Sequence, residues 1–205
     1  MTDTLPGLLL LHADAKLADA WVRRGVVPSY VVPLPGWTAI VPADDTQVRP
    51  PYDDALTVTA NRPVPTRLRT ALGFFVIDGV AIVSGQTRGW RSAPRMLSWT
   101  AGHGADEVPG FPPLKLGQLA ECAGVHPDGV GEVRSILARR EGRPVEVLHD
   151  VIGALALPGA AMLHGSGVKS DLEAVLVEPG KRAVDHFTKI ASDEADMRAE
   201  LRDNL

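Results

Sequence analysis

Residues 73–84, Gly-Phe-Phe-Val-Ile-Asp-Gly-Val-Ala-Ile-Val-Ser, constrain the fold more than any other stretch of this chain. Two runs of aromatic and β-branched residues flank Asp78-Gly79. That dipeptide suits a two-residue turn with positive φ at both central positions, the turn whose twist matches paired strands. An antiparallel hairpin is expected here, and because a lone hairpin is marginal in water the rest of the chain must supply further strands and a covering layer.

The chain offers both. Residues 7–12 form a continuous apolar run typical of a buried strand. A helix should follow, capped by Asp14, with Leu17, Ala20 and Trp21 on its apolar face and Gly25 in the left-handed conformation at its end. Strands are expected at 30–34 and 38–41, joined by Pro35-Gly36, and again at 96–100. Residues 43–66 are rich in Pro and Asp and read as a long surface connection containing a short strand at 56–59. Pro and Gly crowd residues 106–113, as in a linker, and beyond it the periodicity turns helical. Leu116, Leu119, Ala120 and Ala123 share one face; Val130, Val133, Ile136 and Leu137 another; Val147, Leu148, Val151, Ile152 and Leu155 a third. A strand at 174–177 precedes an amphipathic helix from 181 to 202 with Val184, Phe187, Ile190 and Met197 inward.

These elements predict an α+β fold: a small antiparallel or mixed sheet with flanking helices, followed by a helical segment and a C-terminal strand and helix. The expected organisation is a sheet domain at 1–105 and a mainly helical segment at 106–205, packed together as one compact unit. An apolar content of 45% with 22% charged residues argues against disorder. No apolar run approaches the roughly 18 uncharged residues a membrane span needs; the best stretch, 145–163, contains Glu146, His149, Asp150 and Pro158. The first residues lack the basic region and cleavage site of a signal peptide, so a cytoplasmic protein is expected. A single cysteine excludes an internal disulfide framework and any multi-cysteine zinc site, and Cys122, among Leu119, Ala120 and Ala123, reads as a small buried hydrophobe.

Charge is distributed unevenly. The chain carries −4 overall, yet residues 55–105 carry +5, while 1–54, 106–168 and 169–205 each carry −3. The positive stretch holds Arg62, Arg67, Arg69, Arg88, Arg91 and Arg95, with Trp90 and Trp99 close by. Guanidinium forks bind carboxylate or phosphate in two-point fashion, and an interleaved indole offers an apolar contact. These eight residues are the candidate binding surface. The leading expectation is a non-enzymatic protein that associates with itself or with an acidic protein surface, electrostatic complementarity surrounding an apolar contact.

Two other readings have identifiable residues. The segment 116–137, with Gly124 at its turn, resembles in spacing the helix-turn-helix of many bacterial repressors, which implies a DNA-binding regulator. Its groove-facing positions would be His126, Asp128, Gly129, Gly131 and Glu132, an acidic set poorly suited to phosphate, so nucleic acid is not the favoured partner. His12 and Asp14, two apart at a strand end, mark a third reading: a small-ligand binder or enzyme with a cleft beside them. The glycine-containing stretches 165–170 and 178–181 lack the spacing of a phosphate loop and read as turn and helix start. The six histidines are scattered, and no catalytic residue, cofactor or metal is expected.

Overall fold

The structure, a computed structural model, describes residues 5–68, 70–87, 93–164, 168 and 171–203. Its strands are β1 (Gly7–Leu11), β2 (Ser29–Leu34), β3 (Trp37–Pro42), β4 (Ala71–Ile77), β5 (Val80–Gln86), β6 (Arg95–Thr100), β7 (Gly104–Glu107) and β8 (Val175–Val177). The α-helices are α1 (Ala15–Val22), α2 (Ala55–Asn61), α3 (Leu116–Ala123), α4 (Gly131–Leu137), α5 (Pro144–Ala154) and α6 (Lys181–Asp203). The fold is α+β. All eight strands join one antiparallel sheet in the order β7-β6-β5-β4-β1-β3-β2-β8. The sheet is therefore large rather than small, because β7 and β8 extend its two edges.

The hairpin forms as its sequence dictates: Ile77 pairs with Val80, and Asp78 and Gly79 take φ of 51° and 76°. Both faces of the sheet are covered, which explains why the central strands are continuous runs of apolar residues instead of alternating with polar ones. Phe74 and Phe75 are adjacent in β4 and point to opposite faces, and both are fully buried. Phe74 packs with Leu8, Leu10 and Trp99 under α3, α4 and α5. Phe75 packs with Leu9, Leu11 and Ile40 under α1 and α2. Burial of each phenylalanine contributes about 2–3 kcal/mol. The three helices of 116–154 thus cap the sheet. Helix α6 docks through Phe187, Val184 and Ala191 onto a smaller cluster with Val26, Val27, Val48 and Ala55.

Four local expectations are corrected. Residues 56–59 belong to helix α2: Ala55, Leu56, Thr59 and Ala60 are the buried positions, a helical spacing that the β-branched Val58 and Thr59 obscured, and Asp54 caps it by accepting from the Thr57 amide. Part of the expected linker is strand β7, and Pro112 and Leu114 beyond it bond to the backbone of Met96, so this segment is tied to the sheet. Gly25 is not left-handed; α1 ends at Arg23 with right-handed dihedrals, and Gly25 serves another purpose described below. Met197 is exposed, because α6 runs on past the cluster that holds its first turns.

Candidate functional site

The described members of the arginine-rich stretch differ in burial. Arg69, Arg88, Trp90 and Arg91 lie outside the described residues. Trp99 is buried in the core beneath α4, where its indole N–H donates to the Arg139 carbonyl at 2.8 Å, so it is not available for a surface contact. Arg95 is half-buried at the start of β6 and donates to the Pro113 carbonyl at 3.4 Å. Arg67 is exposed in a short 3-10 turn.

Arg62 turns inward, and its surroundings form the most unusual site in the molecule. It stands directly after α2, where an extended ψ of 122° sends its side chain toward the end of α1. The guanidinium lies 3.8 Å over the Trp21 ring and donates to the Trp21 carbonyl at 2.6 Å. Trp21 is gripped from the other side of the same turn, since its indole N–H donates to the Pro63 carbonyl at 3.3 Å. Gly25 makes this possible. A Cβ there would sit 2.2 Å from the Arg62 Nη1 and 2.9 Å from its Cζ, so any other residue would evict the guanidinium.

Among the described residues, no carboxylate lies within ion-pairing distance of Arg62. Among the described residues, the charge that acts on it is unfavourable. Burial and, secondarily, the nearby Arg24 cation lower its pKa to about 10, which still leaves it charged at neutral pH. An arginine so placed costs desolvation energy without the carboxylate that normally offsets it.

Beside Arg62 is a cavity of about 320 Å³, walled by Val26, Val58, Pro63 and Phe187, with Tyr52 and Asn61 adding polar groups. This size and this mixture of an apolar wall with a few polar groups are those of a small-ligand site. Tyr52 is oriented by Glu194 of α6, to which its hydroxyl donates at 3.3 Å, and by the edge of the Phe187 ring 5.6 Å away. No family model, curated protein or solved structure matches this chain. The site must be read from its own chemistry.

The other candidates fare differently. Asp14 caps α1 by accepting from the Leu17 amide at 3.0 Å, and His12 meets the Trp37 ring edge-on at 5.6 Å; neither lines a cavity described here. Segment 116–137 does fold as two helical pieces, α3 and the turn at Pro127–Val130 running into α4, with Gly124 left-handed between them. Its apolar residues face the sheet, and the outward positions carry Asp128 and Glu132, which a phosphate backbone would repel, beside Arg134. Gly180, in the second glycine stretch, gives its amide to the Arg23 carbonyl at 2.8 Å. Among the described residues, no group of His, Cys, Asp and Glu side chains suits a metal ion, and no helix is long and apolar enough to cross a membrane. Cys122 is buried, and burial pushes its thiol up to about 12.

Sequence reasoning singled out Arg62 for its charge but missed its pocket. The partners come from the end of α1, the loop before α2 and the first turns of α6, which share no local pattern. A signal was present only in Gly25, whose small size has no local conformational cause.

Proposed function

We propose that this protein is a binding protein for a small organic anion, a monocarboxylate with an apolar body, held in the cavity between α1, α2 and α6. One observation carries the reading: Arg62 is partly withdrawn from water against Trp21, at the wall of an apolar cavity, with no carboxylate of the described chain to pair with. A ligand carboxylate would supply the missing partner, its apolar body would displace water from Val58 and Phe187, and Tyr52 and Asn61 would fix its orientation. A single cation suits one negative charge. The apolar wall favours an aryl or alkyl substituent over a sugar.

Isothermal titration with 3-phenylpropionate and with its neutral amide tests this. The acid should bind at least about tenfold more tightly than the amide, since a charge-assisted contact of about 1.5 kcal/mol or more is lost. Binding should also quench or shift the Trp21 emission, a change removed by Trp21→Phe. Equal affinity for acid and amide, or no binding of either, would overturn the proposal.

A further inference from the structure

A second cleft, independent of the Arg62 cavity, lies at the opposite edge of the sheet. It has a volume of about 770 Å³ and opens between β7 and the helical layer. Its floor is apolar, built from Leu97 on β6, Leu114 before α3 and Leu137 on α4, all buried from bulk solvent. Its lips carry charge of opposite sign. Glu107 stands on the strand side; Lys115, Arg134 and Arg140 stand on the helical side.

These four exposed side chains line one cleft, yet none is joined to another in an ion pair among the described residues. Elsewhere the chain does pair its surface charges when they meet: Arg139 with Asp150 at 2.6 Å and Arg143 with Glu146 at 2.6 Å are immediate neighbours of this region. Glu107 is paired with Leu97 and Ala105 with Trp99, so Glu107 projects on the same sheet face as the helices, whereas Asp106, paired with Ser98, projects on the other.

Opposed charges held apart over an apolar floor match a ligand with separated charges and an apolar middle. A purely acidic ligand would meet the carboxylate of Glu107, and a purely basic one the arginines. We propose that this cleft binds a short zwitterionic peptide with free termini, its α-ammonium on Glu107, its α-carboxylate on Lys115, Arg134 or Arg140, and its apolar side chains on Leu97, Leu114 and Leu137. Capture of a free terminal carboxylate or a free terminal amine is a recurring mode of peptide recognition. The charged groups give register and specificity, and the floor contributes the apolar area.

The experiment is titration of the full chain with trileucine, followed by amide NMR shifts, alongside N-acetyl-trileucine and trileucine amide. Free trileucine should bind with shifts centred on β7, α3 and α4, and blocking either terminus should weaken binding about tenfold or more. In the variant Glu107→Gln the free and N-acetylated peptides should bind equally, while the C-terminal amide should still be disfavoured. The double variant Arg134→Gln, Arg140→Gln should show the reverse pattern. All three positions are exposed, and an unchanged amide spectrum elsewhere confirms the fold of each variant. Equal binding of free and blocked peptides to the unmodified protein, shifts located at Arg62 instead, or no binding at millimolar peptide would each overturn the proposal.

Discussion

Replacing Arg62 by methionine separates a ligand-binding arginine from a structural one. The substitution keeps the unbranched stem and removes the guanidinium, and three contributions then compete. Loss of the bond to the Trp21 carbonyl costs about 1.5–3 kcal/mol, because the donor is charged. Loss of the stacking on the Trp21 ring costs about 1 kcal/mol. Against these, the depression of the pKa to about 10 corresponds to a penalty of about 3 kcal/mol for keeping the cation in its partly dry site, and methionine removes it. The terms nearly cancel, so urea unfolding followed by tryptophan fluorescence should place the variant within about 1 kcal/mol of the unmodified chain. Carboxylate affinity should meanwhile fall at least about tenfold.

The sign with pH provides a second check. Arg62 has a folded pKa below its unfolded value, so its charged form favours the unfolded chain. That penalty is complete below about pH 10 and is relieved as the pH rises through 10 toward the unfolded value. The unmodified chain should accordingly gain about 1 kcal/mol relative to the methionine variant between pH 8 and 11. A loss of more than about 3 kcal/mol in the variant at neutral pH would refute the reasoning. Arg62 would then be a clamp on the end of α1, and its charge would need no ligand to explain it.

Two further outcomes follow from neighbouring geometry. Gly25→Ala places a methyl group 2.2 Å from Nη1 of Arg62, so it should displace the guanidinium, destabilise the chain by about 1–3 kcal/mol in the same unfolding assay, and abolish discrimination between 3-phenylpropionate and its amide. Cys122, buried with its thiol pushed up to about 12, should react with Ellman's reagent at pH 8 only after denaturant is added; rapid reaction in the native state would contradict its burial.

The sequence alone determined what local physical chemistry can encode. Asp78-Gly79 specified the turn of the central hairpin, Asp14 the start of α1, and the spacing of Leu119, Val133 and Val151 the inner faces of three helices. Even the continuous apolar run of β1 carried tertiary information, because a strand buried on both faces has no polar side to show. Tertiary structure decided the remainder. The short edge strand β7, Gly-Ala-Asp-Glu, has no apolar pattern of its own and exists because β6 offers it a backbone partner. The Pro-rich stretch after it holds its course through bonds to Met96, not through its composition. Charge counted along the chain could not tell an exposed Arg67 from an Arg62 folded over Trp21, nor a solvent-facing indole from the buried Trp99. Both distinctions depend on which side chains approach from segments distant in sequence. Arg62 and Trp21 are 41 positions apart, and the cavity beside them closes only when Phe187 arrives on α6. Local spacing sets dihedrals and faces; cavities and desolvated charges arise only where those faces meet.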